Sequence, residues 1–105
     1  MRVSTVSRTG VGASAWLPLD SLTSGFGDGL YLSPGAGATC SVEVTPDNVF
    51  DPAVTPVAYP CNIAALTGAV GNASGGLTQA VVAVRINQTV GATTSVLKAV
   101  VRGLG

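Results

Sequence analysis

Histidine is missing from this 105-residue sequence. With it goes the side chain most used for acid–base work near neutral pH. Cysteine is scarce: Cys40 and Cys61 are the only two. A zinc site built from this chain would have too few ligands. Charge is scarce as well. Only 10% of residues are charged, against about 25% in typical soluble domains. The four arginines and one lysine are scattered rather than gathered, which argues against nucleic-acid binding by phosphate neutralisation. No apolar run approaches the roughly 18 residues of a membrane span, so no membrane partner is expected. The opening MRVSTVSRTG has no apolar signal core, and the expectation is a chain not marked for export. Two thiols in that setting are more often reduced than paired. Aromatics are 5% of the chain.

What is present is small and apolar. Apolar residues make up 47%, mostly Val, Ala and Leu, with 14 glycines and a net charge of zero. Abundant Val and Thr with few charged helix formers favour strands. The length suits one domain, residues 1–105. A free monomer usually carries charge against self-association. So uncharged a surface points to one covered by other subunits, and to a homo-oligomer.

The stretch Ala80–Arg102 reads as two strands around a turn at Val90-Gly91-Ala92. Val82, Val84 and Ile86 share one face, and Arg85, Asn87 and Thr89 the other. Leu97, Ala99 and Val101 oppose Lys98 and Arg102 in the same way. This period of two predicts an antiparallel hairpin with one buried face. Ala38–Thr45 alternates strictly: Ala38, Cys40, Val42 and Val44 inward, Thr39, Ser41, Glu43 and Thr45 outward. Arg2–Thr9 reads as an edge strand, and Leu30–Ser33 as a short strand. Ser21–Gly29 and Thr67–Thr78 read as glycine-rich loops, Pro34–Gly37 as a turn, and Gly103–Gly105 as a tail. Asn62–Leu66 could form one helical turn capped by Asn62. Pro46–Pro60 holds four of the six prolines. It reads as a semi-rigid loop anchored by Val49, Phe50 and Tyr59. Together these predict an all-β fold: a small antiparallel sandwich or barrel of five to seven short strands with long Gly/Pro-rich loops.

The chemistry-bearing residues are few. Gly10–Ser14 (GVGAS) contains a GxG, but it runs into Trp16-Leu17-Pro18. Pro18 blocks the helix a phosphate site would need, so the segment reads as a bend. Asp47 and Asp51 flank Asn48, short of the alternating acids of a calcium loop. They read as turn formers. Glu43 and Arg85 could pair across the sheet. Asn72-Ala73-Ser74 and Asn87-Gln88-Thr89 match the glycosylation pattern by chance. Trp16 reads either as a core plug or as an interface anchor. No enzyme activity, cofactor or metal site is expected.

Three landmarks carry a resemblance. Thr9–Asp20 (TGVGASAWLPLD), Val42–Thr45 (VEVT) with the proline-bearing segment after it, and Ala83–Asn87 (AVRIN) together resemble a group of small proteins encoded among the virion genes of tailed bacteriophages. The spacer Gly71–Gly76 and the two cysteines depart from that group. The resemblance implies a small β-rich structural protein of the phage particle. It would be a capsid decoration (cement) protein on the capsid surface, assembled in the host cytoplasm, with the major capsid protein as partner. The residues themselves, rather than the resemblance, suggest Trp16, Leu17, Phe50, Tyr59 and the termini as contacts. The other readings are a neck, tail or fibre-associated component, or a β-sandwich module that binds carbohydrate or a host surface.

Overall fold

The structure is a computed structural model that describes residues 2–19, 28–77 and 81–101. The Ser21–Gly29 loop, apart from its last two residues, lies outside them, as does the Gly103–Gly105 tail. Among the described residues, nine strands run in chain order: β1 (Arg2–Thr9), β2 (Gly12–Ala13), β3 (Leu17–Pro18), β4 (Asp28–Ser33), β5 (Thr39–Thr45), β6 (Tyr59–Pro60), β7 (Ala73–Leu77), β8 (Ala83–Val90) and β9 (Thr94–Val101). Three of them, β2, β3 and β6, are two residues long. Two antiparallel sheets pack face to face in a sandwich-like arrangement. One has the order β1-β9-β4-β7. The other has β2-β8-β5-β6, with β3 sharing the β8 edge with β2.

The core lies between the sheets because each strand turns one row of side chains inward. Leu30, Leu32, Leu97 and Ala99 come from the four-stranded sheet. Cys40, Val42, Val44, Val84 and Ile86 come from the five-stranded one. Leu19, Leu66, Leu77 and Cys61 complete it. Each fully buried Leu or Ile contributes about 1.5–3 kcal/mol by leaving water. Both thiols are buried and unpaired.

Several expectations need correction. The strands of Ala80–Arg102 exist, but they do not form a hairpin. β8 pairs with β5, β2 and β3, while β9 pairs with β1 and β4. The connection at 91–93 crosses from one sheet to the other. Ile86 and Leu97 belong to the same buried cluster but come from different sheets. A period-two pattern satisfies either arrangement, since both bury the same rows. The stretch Thr67–Thr78 is not simply a loop: Ala73–Leu77 pairs with β4 over its whole length. Pairing and burial of Leu77 override the weak strand propensity of Ser-Gly-Gly. A side chain on Gly75 would collide with Ile63, so the glycine makes room for a core residue. The 3-10 turn Ala64–Leu66 has Ile63 at its N-cap and no side-chain cap bond, so Asn62 is not its cap. Thr45, expected on the wet face, is fully buried. Its hydroxyl accepts the Asp47 N–H, and its carbonyl accepts the Val82 N–H.

Candidate interaction surface

Trp16 ends the gap between β2 and β3, where the chain leaves the ladder and rejoins it. Ser14 bridges that gap. Its N–H donates to the Ile86 carbonyl at 2.8 Å, and its hydroxyl accepts the Ile86 N–H at 3.0 Å. The side chain thus replaces a backbone acceptor, and Pro18 follows in the strand β3. So held, the Trp16 ring lies under the Arg85 guanidinium, whose central carbon is 4.4 Å from the ring centroid. Arg85 Nε donates to Glu43 Oε1 at 2.8 Å. Glu43 and Arg85 are directly opposed in the β5–β8 register, and Pro60 flanks Glu43 on β6. The row Trp16, Arg85, Glu43, Pro60 therefore crosses the outer face of the five-stranded sheet. The cation–π contact contributes about 0.5–1 kcal/mol, and the partly exposed ion pair no more than about 1 kcal/mol. Trp16 does not plug the core: it is half-buried and stacked on Arg85 outside it.

The other expected contact residues fall at opposite edges of this sheet. Leu17, opposite Val84, packs against the core and is only partly exposed. Tyr59, opposite Val44 on β6, is 49% exposed. Phe50 is 71% exposed. Phe50 and Tyr59 belong to one segment, Pro46–Pro60, which also exposes Val54 and Val57.

That segment holds its shape through short polar side chains. Asn48 Oδ1 accepts the Phe50 N–H at 3.0 Å, and Asp51 Oδ1 accepts the Ala53 N–H at 2.9 Å. Asp47 Oδ2 reaches ten residues along to the Val57 N–H at 2.8 Å. Asx turns of this kind do locally what a ladder does in a sheet. Asp47 and Asp51 are thus turn formers, as their spacing suggests. Prolines at 46, 52, 56 and 60 stiffen the remainder. The outcome is a preshaped loop that presents apolar side chains to solvent. Among the described residues, no three of His, Cys, Asp and Glu gather into a metal-binding group.

Gly10–Ser14 wraps a cation rather than an anion. Arg8 donates to three carbonyls, those of Gly10 (3.1 Å), Val11 (2.6 Å) and Ala13 (3.4 Å). A phosphate cradle needs N–H groups turned inward, and here carbonyls turn inward. The segment is the bend that carries the chain from β1 in one sheet to β2 in the other.

Sequence reasoning missed a buried polar cluster. Gln88 and Ser95 are wholly inaccessible. Gln88 Nε2 donates to the carbonyls of Gly91 and Thr93, both at 2.9 Å. Ser95 Oγ donates to Gln88 Oε1 at 2.8 Å and accepts the Gly35 N–H at 2.9 Å. Cys40 Sγ donates to Ser95 Oγ at 3.1 Å. Parity was the available signal: Gln88 falls in the row of Ile86, and Ser95 in the row of Leu97. Cys61 lies apart from this cluster. Burial pushes its thiol above the ordinary value, while the backbone N–H groups of Ile63 and Asn62 pull it part of the way back.

The fold is that of an all-β, sandwich-like protein. Comparison of the chain with family models, with curated proteins and with solved structures finds no match.

Proposed function

We propose that this chain is a structural protein of a tailed-phage virion. In this reading it is a capsid decoration or cement protein that sits on the outer shell as a homo-oligomer and ties adjacent major capsid subunits together. The observation that carries the reading is the loop Pro46–Pro60. It holds Phe50, Val54, Val57 and Tyr59 exposed on a frame of Asx turns and prolines. A preshaped apolar loop loses little conformational entropy on docking. The scarcity of charge and the resemblance of Thr9–Asp20, Val42–Thr45 and Ala83–Asn87 to phage virion proteins support the same reading. Weak contacts of this kind gain strength when shell symmetry repeats them.

The test is to incubate purified protein with capsids that lack it and to image the particles. Density at the junctions between capsomers is the expected result. The Phe50→Ser, Tyr59→Ser double variant should lose at least tenfold in occupancy, because two exposed apolar anchors are worth about 1 kcal/mol or more each at an interface. Its melting temperature should be unchanged, since neither side chain is in the core. Absence of shell binding overturns the decoration role, and density confined to the neck, tail or fibres assigns the protein there instead.

A further inference from the structure

The free edges of the two sheets are not alike. At one edge of the five-stranded sheet, β2 and β3 are two residues each, interrupted at 14–16, and Pro18 has no N–H to offer. At the other edge, β6 is two residues long and ends on Pro60. In the four-stranded sheet, β7 is a five-residue edge with the 3-10 turn packed against it through Ile63 over Gly75. These are common ways to stop a sheet from adding strands. Among the described residues, β1 has none of them. It runs eight residues, RVSTVSRT, without proline, glycine or acid, and its register with β9 is unbroken throughout. Arg8 turns its guanidinium onto the carbonyls of residues 10–13, so it does not guard the edge.

We propose that β1 pairs antiparallel with β1 of a second copy of this chain, joining two four-stranded sheets into one of eight strands. The Gly10 N–H bonds the Thr93 carbonyl and so extends the β1–β9 ladder. By the alternation of an antiparallel ladder, Val3, Thr5, Ser7 and Thr9 then direct their N–H and C=O groups to the open edge. A two-fold axis normal to the sheet keeps inward residues inward. This requires opposed residues of equal parity. With the axis at Thr5, Thr9 of each copy would find no partner within β1 of the other. With the axis at Val6, Thr5 opposes Ser7 and Val3 opposes Thr9, so all four edge-directed residues are paired. Val6 is only partly buried against the core, and at the axis it gains its own copy as a neighbour. The chain has no net charge, so two copies approach without long-range repulsion. The same-strand, same-patch contact is the closed geometry of a two-fold dimer. This gives a specific interface to the self-association in the proposed function, but it does not depend on binding to a capsid.

The experiment is light scattering on the intact chain over a concentration series, with hydrogen exchange of the β1 amides. A mass near twice 10.3 kDa is expected, with the amides of Thr5 and Ser7 protected alongside that of Val6. Thr5→Lys with Ser7→Lys opposes lysines across the axis, and the mass should fall to that of one chain. Thr5→Lys with Ser7→Glu opposes unlike charges and should restore the dimer. Circular dichroism checks that both variants keep the fold. A wild-type monomer throughout the series overturns the proposal. So do fast exchange at Thr5 and Ser7, an oligomer indifferent to the paired lysines, and failure of the Lys–Glu pair to restore it. Because no capsid enters the measurement, its failure is separable from a failure of the decoration role.

Discussion

Gln88 is the residue that decides how β8 ends. Its amide donates to two carbonyls at the 91–93 crossing, that of Gly91 and that of Thr93, which also accepts the Gly10 N–H. In the same register Cys40 opposes Gln88, and the pairing slips by one residue at Thr89 just beyond. Such a bulge bends its strand and sharpens the local twist, which suits a chain about to leave the sheet. Gly91 completes the crossing at φ 100°, with no room for a Cβ against Ala38. Replacing Gln88 with Leu would leave the carbonyls of Gly91 and Thr93 and the Ser95 hydroxyl without this partner inside the protein. At about 1–3 kcal/mol for a buried polar group left unpaired, Gln88→Leu should cost about 3 kcal/mol. That is a fall of roughly 10–20 °C in Tm for a domain of this size, measurable by calorimetry.

Cys61 yields a prediction in pH. Burial raises its thiol above the ordinary 9.0, so the folded chain keeps this proton to higher pH than the unfolded chain does. The stability it contributes is whole below pH about 9 and is lost as pH climbs through the folded value. Denaturant melts should therefore show a loss of stability above pH 9, and Cys61→Val should lose less. An identical slope in the two proteins would remove Cys61 as the cause.

At the scale of elements, the crossings matter more than the strands. Apart from β2–β3 and β5–β6, each successive strand lies in the other sheet. Every crossing needs something to hold it where no ladder exists. Between β1 and β2 that is Arg8, with three carbonyls around its guanidinium. Between β8 and β9 it is Gln88. The guanidinium holds its donors in a fixed planar fork, and Nε, Nη1 and Nη2 each reach a different carbonyl. Arg8→Ala should destabilise the fold by about 2 kcal/mol, within the range for hydrogen bonds made by charged groups. Arg8→Lys should recover only part of that loss. Urea midpoints of the three proteins give the comparison.

For the whole molecule, the two sheets divide the work. The interior between them is mostly aliphatic, with Thr45, Cys61 and the Gln88, Ser95 and Cys40 cluster among the exceptions. The outer face of the five-stranded sheet carries the row of Trp16, Arg85, Glu43 and Pro60. The other sheet leaves β1 at an open edge. The loop Pro46–Pro60, proposed to bind a capsid, and the strand β1, proposed to pair with a second copy, are different surfaces. The Phe50→Ser, Tyr59→Ser variant should accordingly keep the solution mass of the wild type while losing the shell. Light scattering on that variant is the check, and a changed mass would mean that the loop takes part in self-association.

Local chemistry was enough for much of this. The alternation in Ala38–Thr45 marked β5 and its inward row, Arg2–Thr9 marked the edge strand, and Pro18 marked the extended segment after Trp16. The Glu43–Arg85 pair and the turn-forming role of Asp47 and Asp51 were legible for the same reason: each depends on parity or on neighbours close along the chain. Three-dimensional packing alone decided that β8 and β9 part into different sheets, that Ala73–Leu77 joins β4, and that Gln88 and Ser95 are enclosed together. Those outcomes rest on which buried rows meet across the core, and alternation states which residues turn inward without stating what they will face.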